Sequence, residues 1–171
     1  MSDPAVYLLD SDVFITAKNT YYAFDICPGF WDGLLHHHSK QTVFSIDRVR
    51  GELLAGRATD DLVRWVREKV PRSFFLPAED GDVPDKYGEI MLWAQQHSRY
   101  YQEAKAKFAA SADGWLVAYA GVHGFIVVTN EKPEPDSRRA IKLPDVCQQF
   151  NVQYINTFDL LRRLGVKLHF G

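Results

Sequence analysis

The run VYLLDSDVFI, from Val6 to Ile15, constrains this chain more than any other stretch. Val6 to Leu9 is apolar and partly β-branched or aromatic, the pattern of a buried strand. It is cut off by Asp10, Ser11 and Asp12 and resumes as Val13, Phe14 and Ile15. Two carboxylates at one buried strand tip repel each other, so protonation, a basic partner or a metal ion must offset them. In open α/β folds the carboxyl ends of strands are also where ligands bind. Chemistry is expected here first, although Ser11 or either acid could simply cap the helix that SDVFITAKN begins.

Three more short apolar runs read as strands: TVFSI (42–46), FIVVT (125–129) and the run from Val152 to Ile155. Between them the periodicity predicts helices over 29–38, 47–55, 60–70, 86–98, 101–110, 112–123 and 143–150. A last helix, 157–164, is ended by Gly165. The segment PRSFFLPAEDGDVPD reads as irregular. Strands alternating with helices predict a three-layer α/β/α sandwich around a mostly parallel sheet of four or five strands. With 171 residues, no internal repeat and no linker, a single domain over 1–171 is expected.

The net charge is −2, so no global positive field advertises nucleic-acid binding. Cys27 and Cys147 are isolated and lack metal-type spacing, which fits reduced thiols in a cytoplasmic protein. MSDPAVYLLD lacks the basic region and apolar core of a signal peptide, and no run approaches the roughly 18 apolar residues of a membrane span. His36, His37 and His38 are expected in an exposed loop after a helix, because consecutive histidines cannot all face one ion from a regular element.

Further acids fall at the edges of this framework. Glu52 lies about a turn into the helix after the second strand, Asp113 begins the helix that feeds FIVVT, and Glu131 follows that strand after Thr129 and Asn130. Each has an ordinary alternative: a solvated helix residue for Glu52, a helix-dipole partner for Asp113, a charged loop for Glu131. Parallel neighbouring strands would instead bring all four, with Asp10, above one sheet edge.

In that order these segments resemble the PIN-domain ribonucleases, whose best-known members are the VapC-type toxins of bacterial toxin–antitoxin pairs. YLLDSDVFI is similar to the family's opening strand and first acid, matched by Asp10. FSIDRVRGELLAG resembles the second motif, with Glu52 as its acid. SADGWLVAYAGVHG resembles the third, with Asp113. FIVVTNE resembles the closing strand, giving Thr129 and Glu131. Two positions depart from the family pattern: Asp12 stands where Asn or a hydroxyl residue is usual, and Glu131 where Asp is commoner. Residues 75–110 exceed a minimal PIN domain and are expected to be a helical elaboration.

The resemblance implies a metal-dependent endoribonuclease that hydrolyses RNA and leaves a 5′-phosphate. All-oxygen ligands suit Mg²⁺ or Mn²⁺. Asp10 and Asp113 are expected as principal ligands, Glu52 and Glu131 as outer or second-ion ligands, and Asp12 as a possible extra one. Ser11 and Thr129 would support them. Lys18, Arg48, Arg50, Arg57, Lys132, Arg138 and Arg139 are the expected RNA contacts. The implied partners are an RNA substrate, an antitoxin protein and possibly a second copy of the chain, with no membrane; Tyr21, Tyr22, Tyr100 and Tyr101 are candidate contact residues.

Two rival readings remain open at this stage. Asp10-Ser11-Asp12-Val13 also fits the opening of a haloacid-dehalogenase-type phosphatase, which would need Gly81-Asp82 with Asp85 as its later acidic pair. The other rival is a catalytically inert PIN-fold binding module.

Overall fold

A computed structural model describes residues 3–170. The strand expected at the opening is β1, Tyr7–Leu9, whose three residues are all buried. It is central because it is apolar on both faces: Leu8 and Leu9 have no exposed surface. On one side it pairs with β2, Val43–Ile46, in the register Tyr7–Val43 and Leu8–Phe44. On the other it pairs with β4, Ile126–Val128, in the register Tyr7–Ile126, Leu8–Val127 and Leu9–Val128. β3, Phe75–Leu76, lies outside β2, and β5, Tyr154–Ile155, lies outside β4. The sheet order is β3-β2-β1-β4-β5 and every pairing is parallel.

That order divides the helices. The chain moves outward from β1 to β3 through α1 (Ser11–Asn19), α2 (Pro28–Ser39), α3 (Asp47–Leu54) and α4 (Asp61–Glu68). It then returns to β4 through α5 (Val83–Gln96), α6 (Gln102–Ala110) and α7 (Asp113–His123), and reaches β5 through α8 (Leu143–Gln149). Right-handed crossovers place the two groups on opposite faces. Their packing agrees, since α3 contacts α1 and α4 whereas α7 contacts α5, α6 and α8. The result is the expected three-layer α/β/α sandwich, with five strands in its parallel sheet. The last helix, α9 (Thr157–Leu164), follows β5, and its Phe158 ring lies 6.5 Å from that of Tyr22.

The structure corrects several expectations. The fifth strand comes from Phe75–Leu76, inside the segment read as irregular; two residues are too few to show a period. Residues 75–110 therefore supply an edge strand as well as α5 and α6. α5 begins at Val83 rather than Lys86, with Pro84 in its first turn, where a missing N–H costs nothing. It ends at Gln96 rather than Ser98, with His97 as its C-cap. The three histidines belong to the last turns of α2, not to a loop. His38 is buried, its Nδ1 2.9 Å from the Val43 carbonyl and its Nε2 3.0 Å from Ser73 Oγ. Tyr100 is buried as well, which removes it from the candidate surface contacts.

Two local features aim β1 and β4 at the same place. Ser45, buried in β2, donates through Oγ to the Leu9 carbonyl at 2.6 Å, fixing the end of β1. Gly124 ends α7 at φ +72°, a left-handed conformation that costs a residue without Cβ nothing, and the chain enters β4 two residues later.

The seam between α5 and α7 is tight. A Cβ at Gly114 would stand 3.0 Å from Tyr87 Cε2 and 3.5 Å from Phe108 Cζ. The Tyr87 ring is itself stacked on Trp115 with centroids 3.9 Å apart, so it has little freedom to yield. Gly114→Leu is expected to lower the unfolding free energy by about 1–3 kcal/mol. Urea unfolding would measure this, and an unchanged midpoint would show the seam to be looser than described.

Candidate metal centre

In the order 3-2-1-4-5 the chain leaves β1 and β4 in opposite directions, so their carboxyl ends border the crevice where open α/β sheets bind ligands. Asp10 and Asp12 stand at one side of this crevice, and Thr129, Asn130 and Glu131 at the other.

Asp10 serves two neighbours at once. Its Oδ1 accepts from the Ser11 backbone N–H at 2.7 Å, at the start of α1, and its Oδ2 lies 3.0 Å from Thr129 Oγ1. The capping role and the cluster role foreseen for it as alternatives therefore coexist. Thr129 Oγ1 is also 3.3 Å from Asp12 Oδ2, so one hydroxyl proton serves two carboxylates. The Asn130 backbone N–H donates to Asp12 at 3.0 and 3.2 Å. Glu131 donates its N–H to Thr129 Oγ1 at 3.2 Å and accepts at Oε2 from Leu143 N at 2.7 Å, which ties it to the start of α8.

The other two acids arrive from opposite helical layers. Glu52, partly exposed on α3, accepts at Oε2 from the Ala112 N–H at 3.3 Å, and so meets the residue before Asp113. Asp113 opens α7. Among the described residues no hydrogen bond reaches its carboxyl group, which borders a cleft of about 100 Å³ lined by Lys107, Ser111, Glu131 and Lys142. No salt bridge engages any of these five carboxylates among the described residues.

The electrostatics follow from that crowding. Burial pushes the Asp10 carboxyl well above the ordinary carboxylate range, and the charges of Asp113, Asp12 and Glu131 push it the same way; Thr129 offsets part of this. Asp113 is raised to about 7, first by burial and then by Glu131, Glu52 and Asp12, with Lys107 pulling back. Burial also raises Asp12, against the Asn130 N–H, and Glu52, against the Ala112 N–H and the Ser11 side chain. The same acids act on Cys147, a thiol with no exposed surface in α8, whose pKa is pushed up by burial and then by Asp113, Asp10 and Glu131.

The donor set is all oxygen and carries excess negative charge, which fits a hard dication. The side chains are not closed on a point: among the described residues no three His, Cys, Asp or Glu side chains form a ready-made ion cage. The structure thus brings Asp10, Asp12, Glu52, Asp113 and Glu131 into one electrostatic group, with Thr129 and Ser11 beside them. Asp82 and Asp85, the acids of the phosphatase alternative, are exposed at the start of α5.

The expected RNA contacts divide. Lys18 is paired with Asp60. Arg48 is paired with Asp47 and Glu79 and lies over the Trp115 ring at 4.9 Å. Burial, and then Arg72 and Arg67, lower Arg50 from its usual value, and among the described residues it forms no salt bridge with the acids. Arg57, Lys132, Arg138 and Arg139 are exposed. Lys107 and Lys142, which do border the acid cleft, were not foreseen; Lys107 sits one helix before Asp113, and nothing in its sequence context marks it.

A carboxyl whose folded pKa is raised above the unfolded value of about 4 favours folding while it stays protonated, and that contribution is lost as pH rises toward about 7. Without divalent cations, Asp113→Asn is therefore expected to melt several degrees above wild type at pH 8 and to lose that advantage at pH 4. Thermal melts in chelator across this range would show it. A variant no more stable than wild type at pH 8 would contradict the repulsion described here.

No curated protein matches the chain. Among solved structures, one chain of the structure of FitAB bound to IR36 DNA fragment aligns with 18% identity and a TM-score of 0.54, covering 96% of this chain and 100% of that one. The crystal structure of FitAcB from Neisseria gonorrhoeae aligns with 19% identity and a TM-score of 0.55, over 90% and 99%. At such identity the likeness is one of fold. Residues 7–168 match a family model described as "Domain of unknown function (DUF4411)", and the chain belongs to that family.

Proposed function

We propose that this protein is a Mg²⁺- or Mn²⁺-dependent endoribonuclease, built as one PIN-like domain and acting as the toxin of a toxin–antitoxin pair. One observation carries the nuclease reading: five carboxylates from four segments of the chain gather at the β1–β4 crevice, and among the described residues no salt bridge engages them. Such an arrangement costs stability unless the charge has a use. The toxin reading rests on the ordered resemblance of the motifs to VapC-type proteins, and the fold shared with the FitAB structures is compatible with it.

In this reading Asp10 and Asp113 are the principal ligands, Glu52, Glu131 and Asp12 complete the set, and Thr129 and Ser11 hold Asp10 in place. A bound dication would offset the clustered charge, neutralise charge developing on a phosphodiester and lower the pKa of a water. Among the described residues Asp113 accepts no hydrogen bond at its carboxyl group, which leaves both oxygens available to a cation. Lys107 and Lys142 flank it, where an ammonium group can meet a phosphate oxygen.

The direct experiment titrates Mn²⁺ into chelator-treated protein by calorimetry and follows cleavage of single-stranded RNA. Wild type is expected to bind Mn²⁺ and cleave, and chelator to stop cleavage. Asp113→Asn should lose activity by at least a hundredfold, as should Asp10→Asn, whose side-chain oxygen can still cap α1. Thr129→Val is expected to weaken Mn²⁺ binding about tenfold to a hundredfold by releasing the carboxylates it holds. A wild type that binds no Mn²⁺, with Asp10→Asn matching it in every assay, would favour an inert binding module. For the toxin role, induced expression should arrest bacterial growth, and Asp113→Asn should relieve the arrest; unimpeded growth with active nuclease would remove that role alone.

A further inference from the structure

A groove of about 330 Å³ opens between α1 and α9, beside the acid crevice but outside it. Its walls include Tyr21, which is 81% exposed, and Phe158, which is 51% exposed. Rings left this open on a folded surface have no partner within the chain sufficient to cover them. Lys132, also exposed, stands on the rim.

What ties the groove to the crevice is Asn130. Its backbone N–H donates to Asp12, while its side-chain Oδ1 accepts from Thr157 N at 3.2 Å and Thr157 Oγ1 at 2.8 Å, at the start of α9. The groove wall therefore begins at the residue where the acid cluster ends. Asn156 uses its Oδ1 to accept from Asp159 N at 2.9 Å. Among the described residues the NH₂ groups of Asn130 and Asn156 have no acceptor, and both residues line the groove, so two amide donors are available to an occupant.

Flat apolar faces, amide donors and one rim cation form a composite surface. An aliphatic side chain would use only the first of these. An unpaired nucleobase uses all three: its faces stack on aromatic rings, its ring nitrogens and carbonyls accept hydrogen bonds, and its phosphate meets the ammonium group. We propose that this groove binds one unpaired base of a single-stranded RNA, adjacent to the phosphodiester held at the acid crevice. The inference rests on the nuclease reading above and adds to it a site for the base, which makes the enzyme selective for single strands.

The test uses the full chain and a short single-stranded RNA carrying 2-aminopurine, with Mn²⁺ present. Wild type is expected to quench the fluorophore when it sits beside the cleaved bond. Tyr21→Ala combined with Phe158→Ala should abolish the quench and raise KM about tenfold or more, leaving kcat within a few-fold; Tyr21→Phe with Phe158→Tyr should restore both. Fully paired RNA should be a poor substrate for every variant. Cleavage and quenching unaltered in the double alanine variant would overturn the base site while leaving the nuclease reading intact. So would a double alanine variant that cleaves normally but has lost a wild-type dimer in light scattering, since the groove would then be a protein contact. Absence of RNA cleavage by wild type, with Mn²⁺ bound, would remove the nuclease reading and the inference together.

Discussion

Repulsion among carboxylates is the constraint on which this structure turns. Asp10 is nearly inaccessible at the end of the central strand, and Asp12, Asp113 and Glu131 all act on it through a poorly solvated space. Nothing local favours such a grouping. It persists because each acid is held by an element with other reasons to be there: β1 between β2 and β4, α7 against α5, and Glu131 on the first turn of α8. The buried aromatic layer under α1 does similar service, with Phe14 lying 6.1 Å from both Trp65 and Phe74 and fixing the helix that carries Asp12. Packing energy elsewhere offsets electrostatic cost at one point, as expected where a site is arranged for binding rather than for stability.

The parts of this arrangement that could be read from the chain are those carried by strong local patterns. β1 and β4 are uninterrupted apolar runs with Asp10 and Glu131 shortly beyond them, and Asp113 opens the helix that leads into β4, so these three were accessible to inspection. Glu52 carried the weakest signal of the four, since a lone glutamate a turn into a helix is ordinarily solvated. β3 was not legible, because pairing with β2 rather than any period in Phe75–Leu76 makes it a strand. The ordering of Asp12 by Thr129 and the Asn130 backbone depends on which strand neighbours β1, a tertiary fact. Lys107 and Lys142 were hidden for the same reason, and His38 was misplaced because its two partners lie 5 and 35 residues away.

Topology explains why one end of the sheet gathers so much. The chain departs from β1 and β4 toward opposite faces, and the polar groups that follow those strands are left facing each other instead of being covered by a crossover. The same geometry makes the crevice and the groove beyond it continuous through Asn130. Charge and aromatic surface are thereby set side by side, on a molecule whose overall charge offers a polyanion no attraction.

Cys147 gives the site a further character. Sulfur is the ligand that zinc and copper prefer, and here a cysteine stands within the electrostatic reach of three of the acids. Burial, and then the charge of those acids, keep its proton in place, and it is the thiolate rather than the thiol that reacts or ligates. The crowding that gathers carboxylates at the end of β1 therefore also keeps a nearby sulfur inert.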